Sequence, residues 1–271
     1  MKAIDENSGE PVELMGAPVI MIWHKTLVWA VDELAKLGQD ELRFLKIRAG
    51  EHLAAILTTS FFHAAPLRVD TAGGPDLLFG ASAVKSSPFP MSPDASQVVF
   101  EIKSLPGQFR EFDSMLNRTR KRGDPALGRS IPLQVQSARG ILEKALPRLV
   151  SAQESLVSKL KGAGVVSKNL FLVVHPLDAW AVELKHPVLG PFLPELGCLS
   201  EIDSVWILWS PERLTMWSRR KLGWTDLIFN GMNEDEIPHP NLTPLQEAEV
   251  RFLEQRGERE DSPYLFGIAD G

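Results

Sequence analysis

The stretch VVFEIKS, Val98 to Ser104, decides how this chain is read. It is short, β-branched and aromatic, and turn formers bound it, SPDAS before and LPGQ after. It reads as a β-strand, and strand side chains alternate faces. Glu101 and Lys103 then share one face with Val99, while Phe100 and Ile102 point the other way. On a half-exposed strand the two charges would be a surface pair contributing under ~1 kcal/mol. Val99 argues that their face is not wholly solvated. In a central strand, a lone glutamate costs several kcal/mol and needs a partner or a metal.

Upstream, helical periodicity runs over 26–38, 39–50 and 51–65, with Gly38 and Gly50 as C-caps and Pro66 as a stop. Two strand-like runs follow, PLRVD and PDLLFGASAV, and then a Ser/Pro-rich loop over 85–96. Downstream, 107–124 is helical in pattern with a basic end. Residues 132–161 predict one or two long helices, with Pro147 as a kink or break. NLFLVVHPL and SVWILWS are apolar strands, and ERLTMWS pairs back on the latter as a hairpin. A last helix spans 243–257, with Thr243 as its N-cap. Helices, strands, helices and strands in that order describe a mixed sheet covered by helices, an α/β fold. The expected organisation is an N-terminal tail over 1–24, a core over 25–215 and a C-terminal extension over 216–271.

Asp76 heads an apolar strand directly after Pro75. Neighbouring strands in one sheet would bring it beside Glu101. Two carboxylates with a lysine make a site for a hard cation such as Mg²⁺, which takes one or two carboxylates plus phosphate oxygens and waters. Lys103 could then assist the attacking water or stabilise charge on a phosphate. Glu51 stands at the start of the helix before these strands, where the macrodipole alone would favour it. Pro75-Asp76, then Glu101-Ile102-Lys103, each on an apolar strand and preceded by the helix glutamate Glu51, resembles the PD-(D/E)xK, or restriction-endonuclease-like, nuclease superfamily. The resemblance covers roughly residues 39 to 180. It implies a three-layer αβββαβ core with a mixed central sheet flanked by helices. It also implies a Mg²⁺-dependent (endo)nuclease in which Mn²⁺ substitutes, Asp76 and Glu101 bind metal, Lys103 assists the water, and Glu51 orients a second metal or a water.

The chain carries rival copies of both motifs, Pro93-Asp94 and Glu183-Leu184-Lys185. Asp94 lies in a loop too close to Glu101 for a strand and turn between them, and Glu183 is trailed by prolines with no helix behind. Two alternatives stay open. One is a non-catalytic protein on the same fold that binds nucleic acid or a partner protein. The other is an unrelated α/β protein in which Glu101 and Lys103 are ordinary strand residues.

The 271 residues carry a net charge of -6, so attraction to a polyanion must come from local basic patches. Arg118, Arg120, Lys121 and Arg122 form the densest cluster, and Arg219, Arg220 and Lys221 the second. These are the candidates for the nucleic-acid backbone, with Trp217 or Trp224 stacking on bases and Gln108 or Arg110 reaching a phosphate. DNA is favoured over RNA, and a homodimer is compatible with the pattern. The six histidines show no metal-ligand spacing, so His52 and His63 are expected to pack or cap. There is no Walker loop, G-x-S-x-G or G-x-G-x-x-G. The lone Cys198 excludes an intrachain disulfide and fits a reducing compartment. A polar start without a signal sequence, and no membrane-length apolar run, lead to the expectation of a cytoplasmic protein.

Overall fold

The computed structural model describes residues 12–14, 17–69, 73–86, 94–105, 135–161, 164–174, 182–183, 188–210, 213–221, 223–230, 242–257 and 262. VVFEIKS lies inside β5, Gln97–Leu105. On one side β5 pairs antiparallel with β4 (Leu77–Phe79), which pairs with β3 (Arg68–Val69). On the other side it runs parallel to β7 (Val166–Val174), and β7 runs parallel to β9 (Ser204–Ser210). The hairpin expected at 204–218 is present as β9 and β10 (Arg213–Ser218). The sheet then continues through β11 (Gly223–Asn230), β2 (Ala17–Trp23) and β1 (Val12–Leu14). Among the described residues it has nine strands in the order β1-β2-β11-β10-β9-β7-β5-β4-β3. A two-stranded ribbon, β6 (Gln136–Ser137) with β8 (Val182–Glu183), stands apart.

Helices cover both faces, giving the expected three-layer α/β architecture. One layer holds α1 (His24–Leu34), α2 (Gln39–Leu42), α3 (Glu51–Phe62), α4 (Ala81–Ser86) and α6 (Pro244–Arg256). Its core receives Val98, Phe100 and Ile102 from β5, together with Phe62, Phe79 and Trp206. Burying each of these rings removes enough apolar surface to contribute roughly 1.5–3 kcal/mol. The opposite layer is α5 (Ala138–Lys159) with the segment Val188–Ile202, and it receives Val99 and Leu105. The alternation along β5 therefore holds, and Glu101 and Lys103 face the α5 layer.

Two expectations are corrected. Residues 17–23 are a sheet strand rather than tail, because APVIMIW pairs in parallel with β11. The boundaries at 24 and 215 cut through this sheet, and α6 docks back on its first layer. There His52 Nε2 lies 2.8 Å from Glu249, His24 Nε2 2.7 Å from Glu247, and Arg251 2.7 Å from Asp32. Of the readings left open around Pro147, the single long helix is present: α5 runs over 22 residues with Pro147 inside it. One missing hydrogen bond is offset by the apolar stripe Leu142, Ala145, Leu149, Ala152 and Leu156, which is buried against the sheet. The Thr243 cap is present as a full capping box with Gln246.

Candidate active site

Asp76 directly precedes β4. The pairs Leu77↔Phe100 and Leu78↔Val99 fix the β4–β5 register, and one further step sets Asp76 opposite Glu101. Facing residues in an antiparallel pair have Cβ atoms about 4.5–5.5 Å apart. The Asp76 carboxylate reaches β5 itself, where Oδ2 accepts the Ile102 N–H at 2.5 Å. It is thus held beside the peptide that follows Glu101.

Glu101 is 1% exposed. Its charge is answered by two ammonium groups. Lys103 Nζ donates to Oε1 at 2.7 Å, and Lys159 Nζ donates to Oε1 at 2.9 Å and Oε2 at 2.7 Å. Lys103 comes from the same strand face and is 46% exposed; Lys159 is the last residue of α5 and is 24% exposed. The surface-pair reading of Glu101 and Lys103 fails on this burial.

Glu51 opens α3. Gly50, at φ 74, turns the chain from the 3₁₀ turn Ile47–Ala49 into that helix, a conformation open to glycine at little cost. The Glu51 carboxylate accepts the Lys46 backbone N–H at 2.9 Å and lies 3.4 Å from Lys46 Nζ. It therefore caps its own loop, yet its charge is felt at Asp76. Burial, helped by the negative charges of Glu101 and Glu51, raises the Asp76 carboxyl from 3.8 to about 6. The Ile102 N–H and Lys103 pull the other way. Asp76, Glu101, Lys103 and Glu51 thus form one electrostatic cluster, assembled from α3, β5 and the start of β4.

Among the described residues no three His, Cys, Asp or Glu side chains cluster into a metal cage. The carboxylates that share one face here are Asp76, half-buried, and Glu101, buried. That fits Mg²⁺ or Mn²⁺ bound through two carboxylates and completed by waters and substrate oxygens, and does not fit an all-protein site.

Other candidates fare differently. Arg219 is tied down, with its guanidinium 2.9 Å from Asp203 and donating to the Ser200 carbonyl. Arg220 is exposed in the turn after β10, three strands away from β5. Trp217 and Trp224 cannot stack on bases from where they stand. Both are buried in the α5-side core, and their indoles donate to Glu195 and the Pro194 carbonyl. Their strand faces the core because β10 and β11 are interior strands. Arg118, Arg120, Lys121, Arg122, Gln108 and Arg110 lie outside the described residues. Of the rival motifs, Glu183 sits in the two-residue β8 and Asp94 is exposed, while Pro93 and Lys185 lie outside the described residues. His52 packs at 0% exposure, and His63 caps α3 at φ 46 and stacks on Trp29 with ring centroids 4.0 Å apart. Lys159 escaped the sequence reading, its only signal being a lysine at a helix C-terminus.

No protein-family model, curated protein or solved structure matches this chain. No helix of the described residues is long and apolar enough to cross a membrane.

Proposed function

We propose that the chain is a divalent-cation-dependent nuclease hydrolysing phosphodiester bonds, with DNA as the favoured substrate. The observation that carries this reading is the register that sets Asp76 opposite Glu101 with the Lys103 ammonium on the same face. Asp76 and Glu101 would hold Mg²⁺ or Mn²⁺. Such a cation would supply a bound water more acidic than bulk water and a positive charge for a phosphoryl oxygen. Lys103, half in solvent, can orient the attacking water or stabilise charge on the phosphate. Glu51 adds negative charge at the mouth and holds the Lys46 loop in place. The sequence order of helix glutamate, aspartate and Glu-x-Lys supports the same reading through its resemblance to the PD-(D/E)xK superfamily.

A non-catalytic binding module on this fold is the second reading. It is favoured by one observation, that both Glu101 oxygens are already engaged by ammonium groups. A single assay separates the two. The purified chain is incubated with supercoiled plasmid and labelled DNA and RNA oligonucleotides in Mg²⁺, Mn²⁺ or EDTA. Cleavage is expected only with a cation, and Asp76→Asn or Lys103→Ala is expected to slow it by at least about 10²-fold. Cutting that survives both substitutions overturns the site. Retained DNA binding with no cutting in either cation supports the binding module.

A further inference from the structure

A lysine at a helix C-terminus is ordinarily explained by the macrodipole, with its ammonium in solvent. Lys159 departs from that pattern. Its ammonium lies within 2.9 Å of both oxygens of Glu101, a side chain 2% exposed. It thus sits against both carboxylate oxygens, where a cation chelated by that carboxylate would sit. Lys103 touches only Oε1. A carboxylate offers about four lone-pair directions, and the two lysines take three. A divalent ion arriving between Asp76 and Glu101 would be strongly repelled by an ammonium on the same oxygens.

We infer that Lys159 is a positioning residue that occupies the cation's place on Glu101 in the cation-free protein and yields it when the cation binds. This rests on the cation-site reading above. With no ion present, Lys159 keeps a buried carboxylate compensated and fixed in orientation. Its ammonium sits on a flexible four-carbon stem that is 24% exposed, so rotation of the side chain alone can withdraw it. The charges of the cluster agree. Three carboxylates, Asp76, Glu101 and Glu51, stand with three ammonium groups, Lys103 and Lys159 on Glu101 and Lys46 3.4 Å from Glu51. A bound divalent ion leaves the site with surplus positive charge, as an anionic phosphodiester requires.

The test is Mn²⁺ binding to the full chain without nucleic acid, read by the electron paramagnetic resonance signal of the free ion. Melting temperatures in EDTA and in saturating Mn²⁺ accompany it. Lys159→Gln should bind Mn²⁺ at least about tenfold more tightly than wild type, since it removes the competing charge. It should melt below wild type in EDTA and recover most of the gap in Mn²⁺. Lys159→Arg, which keeps the charge, should keep the weaker binding, whereas a merely structural Lys159 would leave the affinity ratio near one. Asp76→Asn binding Mn²⁺ as wild type does would remove the cation site and this inference with it. Loss of binding in Asp76→Asn, with Lys159→Gln unchanged or weaker, overturns the role of Lys159 alone.

Discussion

At the scale of single residues, the cluster is built around an acid that resists ionisation. Asp76 titrates near 6 in the folded chain against 3.8 ordinarily, chiefly because it is buried. Between those values the native state binds more protons than the unfolded state, so stability falls as pH rises through the window. Screening in this half-buried position reduces the loss to about 2 kcal/mol. Asp76→Asn should therefore be more stable than wild type by about 1–2 kcal/mol at pH 8 in EDTA. The two should converge near pH 4, as urea denaturation at each pH will show, and a pH-independent difference would contradict it. Asp76, Glu101 and Lys103 were legible in the sequence because strand alternation has a period of two and a turn returns β4 to β5. Lys159 was not, because it meets Glu101 across 58 residues through the docking of α5. No local pattern encodes that docking.

At the scale of elements, the site depends on the register of three parallel strands. Asn169, 1% exposed on β7, ties them together. Its Nδ2 donates to the Val99 carbonyl of β5 at 3.1 Å, and its Oδ1 accepts from Ser204 of β9 at 2.6 Å. The Trp206 indole donates in turn to Ser204 at 2.8 Å. Removing a member of such a buried network leaves others without partners. Asn169→Ala should cost about 2–3 kcal/mol, and adding Ser204→Ala should cost less than the sum of the two single changes. Additive losses in denaturation would show that the network is not one unit. Apolar strands such as SVWILWS and NLFLVV were readable from their β-branched and aromatic runs. β2 and β11 were not assigned to the sheet, because parallel pairing between the two ends of a chain leaves no local signal. Trp217 and Trp224 were misplaced for the same reason: aromatic residues near a basic turn look the same whether their strand is interior or at an edge.

At the scale of the whole molecule, one sheet separates two cores, and the cluster lies where β4 and β5 meet the end of α5. β5 carries Phe100 and Ile102 to one layer and Glu101 and Lys103 toward the other, so one strand anchors both the core and the candidate site. The strand pair β2–β11 extends the far side of the sheet, β1 forms its edge, and α6 packs there on α1 and α3. The proposed site requires Asp76 and Glu101 to bind one cation together. Crystals of the full chain grown with Mn²⁺, measured for anomalous scattering, test this directly. A shared site gives a single peak within about 2.1 Å of an oxygen from each carboxylate, with the Lys159 ammonium withdrawn from Glu101. A Mn²⁺ peak elsewhere, with Asp76 still on the Ile102 N–H and Glu101 still held by both lysines, would contradict it.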